Sequence, residues 1–337
     1  MITISYHADL DELQAEPRLA ALMGMQAANT PFDRLAWWQG LARDCGLVPL
    51  VAIAEGEQGV TILPLMQGPG RIEALANWYN FTWRPVFSED ADVPVLLTAL
   101  ARALNERTGR ITLSPVPDEQ GEASQISAAF KAAGWVVEQK SCDVNNVLKI
   151  GGRDFATYFA SRPGPLRTTL ARKQGKVQTE ILTHFDPEVW TAYEGIYAAS
   201  WKPSEGSPAF LRHIAEAEGV AGRLRLGIAY AQGRPIAAQF WTVEAGTAFI
   251  HKLAHDESTK ALSPGTVLTA ALLSHVIDTD RVALVDFGTG DDPYKRDWME
   301  ATRPRYRLDM FHPASPRQWP HIARAQLRRL AGAKRQG

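Results

Sequence analysis

The chain has 337 residues, 45% of them hydrophobic and 22% charged, with 36 Lys and Arg against 37 Asp and Glu for a net charge of -1. At roughly 150 residues per domain, this length predicts two domains, and the apolar fraction suffices for two buried cores. A near-neutral chain is not a nucleic-acid binder that works by bulk charge, and the two cysteines, Cys45 and Cys142, read as reduced thiols rather than a disulfide framework.

No run approaches the roughly 18 apolar residues of a transmembrane helix. The start, Met1 to His7, has neither a basic n-region nor a long apolar h-region, so the expectation is a cytoplasmic protein without a secretory signal. In the first half, Leu10, Leu13, Leu19, Leu22 and Met23 recur at nearly helical spacing and predict a helix over 9–25. Thr30-Pro31 is a break. A second helix follows over about 32–44, with Leu35, Trp38 and Leu41 at steps of three, and Cys45-Gly46 ends it. Residues 48–54 and 60–65 read as a hairpin of buried strands around a glycine-containing turn. Further on come a helix at 93–107, a strand at 110–113, a helix at 124–133 and a strand at 135–138. Between them lies an aromatic patch with Trp78, Tyr79, Phe81 and Trp83. It is either a ligand-facing wall or a loop packed over a core, and aromatic area burial favours the loop.

In the second half, residues 155–178 read as two helices around the corner Pro163-Gly164-Pro165. The basic run Arg167, Arg172, Lys173 and Lys176 is either a solvated helix face or a platform for a phosphorylated ligand. A helix over 187–201 carries Trp190, Tyr193, Ile196 and Tyr197. Pro203 stops it and leaves Trp201 and Lys202 at its mouth. That pair can stack on a ligand ring and meet an anion, or simply complement the helix dipole. Three strands at 223–230, 235–243 and 247–255, joined by tight turns, predict an antiparallel meander. Its last strand carries His251, Lys252 and His255, and a lone strand histidine such as His251 is a structural residue or a base.

A helix opens at Ser263, with Ser263 as N-cap and Pro264 in the first turn. It is apolar nearly all round, hence buried on most sides. Gly265 and Thr266 in its first turn offer free backbone N–H groups to an anion. After a strand at 282–287 comes the densest cluster of possible chemistry, Gly288 to Lys295. Asp286 within an apolar strand is costly unless paired. Gly288 and Gly290 allow a sharp turn, and Asp291 and Asp292 cap a helix carrying Tyr294, Lys295 and Trp298. The Gly-Thr-Gly here is no dinucleotide fingerprint. A last strand at 306–311 is expected to close this half. The tail after Asp309 has no acidic residue and six basic ones, Arg317, Arg324, Arg328, Arg329, Lys334 and Arg335, beside an apolar stripe of Trp319, Ile322, Leu327 and Leu330. It reads as a basic amphipathic helix, suited to an anionic membrane surface, a partner or a nucleotide, or packed across a domain with a solvated outer face.

This order of meander, buried helix, strand, helix and strand resembles the GNAT acyltransferase fold. Ser200-Trp201-Lys202, Pro235-Ile236-Ala237, Ser263-Pro264-Gly265, Asp286-Phe287-Gly288 and Gly290-Asp291-Asp292-Pro293-Tyr294-Lys295 resemble the FemAB-like acyltransferases of the cellulose-biosynthesis CelD/BcsL type. Pro31-Phe32 through Trp38 and Leu63-Pro64-Leu65 are also similar, so the likeness spans about residues 5–312. It implies an α/β (α+β) fold of tandem GNAT-like domains, each a mixed, mostly antiparallel sheet flanked by helices. The expected domains are 1–145 and 146–312, followed by the tail 313–337.

The resemblance also implies transfer of an acyl group from acyl-CoA as co-substrate, without a metal, to an amine. The expected acceptor is an amino sugar or a lipid-linked or nucleotide sugar in envelope or exopolysaccharide assembly, met in the cytoplasm or on the inner membrane face. On this reading Ser263, Gly265 and Thr266 hold the pyrophosphate. Asp286 or Asp291 orients or deprotonates the amine, with His251 as a second base, and Tyr294 protonates the leaving thiolate. Lys295, Trp201 and Lys202, with Lys252, Gly288 and Arg167, hold the acceptor. A splayed strand pair beside Ser263, with Asp286 and Lys295 lining one hollow, is required. The usual GNAT pyrophosphate loop is replaced by Lys260 to Thr266 with one glycine. Aminoacyl-tRNA, the donor of Fem-type relatives, and a catalytically idle binding module therefore stay open.

Overall fold

The computed structural model describes residues 1–24, 28 and 30–333. The chain divides into two compact units, residues 1–143 with the segment from 304 onward, and residues 144–303. It passes from one to the other inside two long strands, Val136–Lys149 and Ala301–Phe311.

In the first unit the expected hairpin forms from Val51–Gly56 and Gly59–Leu63. Thr3–His7 and Val86–Phe87 flank it to complete a four-stranded antiparallel sheet. The run read as one strand over 60–65 is split. Pro64 has no N–H for a ladder, so the chain restarts as Leu65–Gly68 and pairs with Arg71–Ala74. Arg110–Val116 lies parallel to Arg71–Ala74 and antiparallel to residues 306–311. The strand expected to close the second half therefore belongs to the first unit. The helix expected over 9–25 is two short ones, Leu10–Ala15 and Pro17–Leu22, because Pro17 begins a new helix; Met25 lies outside the described residues. Helices Val93–Leu104 and Glu122–Ala132 bury Leu96, Leu100, Ile126 and Phe130 against Ile111 and Leu113. Each such side chain contributes about 1.5–3 kcal/mol.

The aromatic patch is mostly core. Tyr79, Phe81 and Trp83 are buried, Phe81 packs on Phe32 with ring centroids 5.0 Å apart, and only Trp78 is largely exposed. The C-terminal helix Trp319–Ala333 is anchored on the same unit. Ala325 is buried, the His321 ring stacks on Phe311 at 5.2 Å, and Arg328 meets Glu138 at 3.0 Å. Lys334 and Arg335, and the side chains of Arg329 and Leu330, lie outside the described residues.

In the second unit the meander is Leu224–Ala231, Arg234–Glu244 and Thr247–His255. The mostly polar strand Gln178–Leu182 adds to its open edge. Leu284–Thr289 joins the other edge in parallel and pairs antiparallel with residues 145–149 on its far side. Helix Pro264–Ser274 packs directly on this sheet. A Cβ at Gly227 would come within 2.8 Å of a Leu272 methyl carbon, so the close approach depends on a residue without a side chain. Helix Pro187–Ala198 and an unanticipated helix, Pro208–Val220, border the site described next. The second of these was legible in Ser207-Pro208 followed by Phe210, Leu211 and Ile214 at helical spacing.

Candidate functional site

The site begins where two strands part. Thr247–His255 and Leu284–Thr289 pair in parallel over three rungs, ending at Phe249 opposite Asp286. On the other edge of Thr247–His255, Ile250 faces Trp241 and Lys252 faces Phe240, so His251 is the extra residue of a β-bulge. Beyond the last rung lies a cavity of about 340 Å³, lined by Leu253 and His255 from one strand, Phe287 from the other, and Gly265, Tyr294 and Lys295.

The start of helix Pro264–Ser274 forms part of its wall. Ser263 is not the side-chain cap that its position predicts. It adopts a left-handed backbone, φ 51°, and no side-chain hydrogen bond caps the helix. A non-glycine residue held there is strained. The geometry leaves the first-turn amides of Gly265 and Thr266 without an intrahelical acceptor, the arrangement that favours an anion.

Behind this turn runs a buried polar chain. Trp241 Nε1 donates to Gln239 Oε1 at 2.9 Å, and Gln239 Nε2 donates to Thr269 Oγ1 at 2.7 Å and to the Gly265 carbonyl at 3.3 Å. The Thr269 hydroxyl meets the Tyr294 hydroxyl at 2.9 Å. Burial pushes the Tyr294 phenol up to about 12, so it stays protonated at neutral pH and can act only as a donor of that proton. Gln239 and Thr269 were missed in the sequence because an interior polar residue carries no periodic signal.

The lining is cationic. Lys202, Lys260 and Lys295 border the cavity against one carboxylate, Asp292. Asp292 also caps its own helix, accepting from the Tyr294 N–H at 2.8 Å. Lys295 donates to the Thr289 carbonyl. Burial, and then the nearby Lys252 and Lys295 ammoniums, push the Lys202 ammonium down from its ordinary value. Trp201 also lines the cavity, with its ring 4.5 Å from that of His255. Burial pushes His255 down as well, Glu257 partly opposing it.

Of the residues expected in the site, Ser263, Gly265, Thr266, Trp201, Lys202, Tyr294 and Lys295 come together around this cavity. The others do not line it. Asp286 is buried, its carboxylate accepting from Asn145 Nδ2 at 3.0 Å and from the Gly288 N–H at 2.8 Å. It shapes the strand end and does not share a hollow with Lys295. Gly288, with φ 70°, serves the same turn. Asp291 is exposed and pairs with Arg296 at 3.4 Å. His251, displaced by the bulge, bonds Thr242 Oγ1 at 2.8 Å and stacks on Phe240. The strand histidine at the cavity is His255, one helical-looking step later in the sequence and on the other side of the bulge. Arg167 is exposed on helix Gly164–Lys173. Lys252 pairs with Glu205 at 2.9 Å.

Glu205 belongs to a second cavity of about 520 Å³, lined by Trp190, Tyr193, Glu194, Tyr197 and Lys202. Lys202 borders both cavities. Burial, with Glu205 adding to it, pushes the Tyr197 phenol up to about 12. Among the described residues no group of three or more His, Cys, Asp or Glu is placed to hold a metal ion.

Residues 159–296 match the acetyltransferase (GNAT) domain family. No curated protein matches the chain. Among solved structures, the chain is similar to FemX at a TM-score of 0.61 and 11% identity, covering 91% of this chain and 96% of that one. It is similar to L-PGS from Bacillus licheniformis at 0.58 and 10%, covering 95% and 97%. A tandem GNAT protein from the clavulanic acid biosynthesis pathway aligns at 0.55 and 12%, covering 94% and 100%. At these identities the likeness is one of fold.

Proposed function

We propose that the GNAT acetyltransferase domain in the second unit transfers an acyl group from a coenzyme A thioester to an amine. The observation that carries this reading is the cavity between the parted strands, bordered at once by first-turn helix amides and three lysines. Gly265 and Thr266 N–H groups with Lys260 suit the donor's diphosphate, since amides at a helix start and ammoniums both favour phosphate oxygens.

In the transfer, the amine nitrogen forms a bond to the acyl carbon and the carbon–sulfur bond breaks. The amine gives up a proton and the thiolate takes one. His255, held toward its neutral form by burial, accepts the amine proton. Tyr294, fully protonated at neutral pH, supplies the thiolate's proton. The polar chain through Thr269 and Gln239 keeps that phenol in place.

The acceptor lies in the adjoining cavity. Aromatic walls from Trp190, Tyr193 and Tyr197 suit the apolar face of a sugar ring, and Glu194 and Glu205 suit an ammonium or hydroxyls. An amino sugar, lipid-linked or nucleotide-linked, of the kind used in envelope polysaccharides fits this lining.

Calorimetry with coenzyme A, followed by thiol release from acetyl-CoA in the presence of glucosamine, tests the reading. Binding with amine-dependent thiol release supports it, and absence of coenzyme A binding overturns it. A second reading keeps acyl transfer but takes an aminoacyl-tRNA donor. It is favoured by exposed Arg167, Arg172 and Lys176 on and after a helix whose Lys173 bonds the Ala261 carbonyl at 2.7 Å, beside the cavity turn. Binding of tRNA without coenzyme A would select that donor.

A further inference from the structure

The first unit holds a separate polar cavity of about 150 Å³, lined by Asp33, Arg84, Gln120 and Glu122 together with apolar Leu22 and Phe87. Asp33 is 5% exposed and Glu122 8%. Two carboxylates taken this far from water need full compensation, and they receive only part of it. Thr30 Oγ1 donates to Asp33 Oδ2 at 2.7 Å, and the Gln120 N–H donates to Glu122 Oε2 at 2.9 Å. Arg84 faces both acids without bonding either. Its Nε lies 3.8 Å from Asp33 Oδ2 and its Nη1 3.7 Å from Glu122 Oε1, beyond hydrogen-bond distance. Among the described residues Asp33 Oδ1 and Arg84 Nε have no hydrogen-bond partner. Burial pushes the Asp33 carboxyl up, although Arg84, Thr30 and Arg34 oppose it. When both acids are ionised, Asp33 and Glu122 stand against Arg84 in the lining and against buried Arg34, which acts on Asp33.

We infer that this cavity is a binding site for a small primary ammonium. A primary ammonium has three donors and no acceptor. The lining offers carboxylate acceptors from Asp33, whose buried Oδ1 is unpartnered, and from Glu122. The volume is about five times a water's share of the liquid, which is roughly 30 Å³, and so admits a molecule the size of ethylamine beside Leu22 and Phe87. Two carboxylates are too few for a calcium-type cage of six to eight oxygens. The site is independent of the acyl-transfer reading.

Calorimetry on the full chain with ethylammonium chloride, and with tetramethylammonium chloride at equal ionic strength, tests the inference. The expected result is saturable binding of ethylammonium and none of tetramethylammonium, which has the charge but no N–H. Asp33→Asn and Glu122→Gln should each weaken ethylammonium binding by roughly ten-fold or more, the loss of a charge-assisted hydrogen bond. Glu188→Gln, exposed in the second unit and lining neither of its cavities, should leave it unchanged. Equal binding of the two cations overturns the proposal, as does binding indifferent to both cavity variants or lost in Glu188→Gln. If Asp33→Asn does not fold, Glu122→Gln and the comparison of cations on the unaltered protein decide the matter. Failure of acyl transfer would leave this result untouched.

Discussion

Phe249 and Asp286 form the last rung between two parallel strands, and the candidate active cavity opens one residue further on, at Phe287. The Asp286 carboxylate turns inward to Asn145 and to the Gly288 N–H. The ladder ends at this residue. The residue that looked most like a base does not line the cavity.

Asp286→Asn should therefore lower stability by about 1–3 kcal/mol, because the new amide opposes the Asn145 amide instead of accepting from it. Urea unfolding measures this. The pH–rate profile of the surviving activity should keep its shape; loss of a limb would restore Asp286 as the base.

Tyr294→Phe should reduce kcat by about 100-fold, the usual scale of a general acid, and leave the donor KM almost unchanged. The phenol is raised from 10.0 to about 12 by burial, so the wild-type group stays protonated through pH 9. Its contribution to stability is present below pH 10 and is lost as pH climbs toward 12. Alkaline unfolding should start later in the variant.

His255→Gln addresses the base. Burial lowers this imidazole from 6.5, so its neutral form persists to more acid pH than an ordinary histidine's. The acid limb of wild-type kcat/KM should lie below 6.5, and the variant should lose that limb together with about 100-fold of rate. Because the folded pKa is depressed, the stability tied to this group is present above the unfolded value and falls as pH drops through the folded one. A profile identical to wild type would exclude His255 from proton transfer.

Gly265→Ala separates binding from folding. A Cβ there meets only His255 Nδ1, at 3.7 Å, so stability should stay within about 1 kcal/mol of wild type or rise slightly with helix propensity. The methyl group should weaken coenzyme A binding by about ten-fold, the scale of one lost hydrogen bond to a charged group. Calorimetry and thermal melts read the two effects separately.

Gln239→Leu keeps the volume but strands the Trp241 N–H and removes a donor from Thr269 Oγ1 and the Gly265 carbonyl. Loss of about 1–3 kcal/mol in urea unfolding is expected from leaving that buried N–H unpaired. An unchanged midpoint would mean that the polar chain behind the turn contributes nothing.

Much of the second unit was legible in local sequence. The alternation and glycine turns of residues 224–255, the Ser-Pro-Gly start of the helix at 264, and the strand–turn–helix from 284 to 298 all fold as their spacing predicts. These features depend on backbone geometry over a few neighbours, which periodicity encodes. What local spacing could not decide was which side chains share a cavity. One extra residue at His251 takes it out of the site in favour of His255. Asp286 is claimed by Asn145, 141 residues earlier in the chain. Residues 306–311 leave the half they follow and pair with Arg110–Val116. Ser263 takes a left-handed backbone that its capping chemistry did not foretell. Secondary structure follows from short-range spacing and was set by the order of residues alone. Register, bulges and buried polar partners join residues far apart in the chain, so only the tertiary structure decided the site.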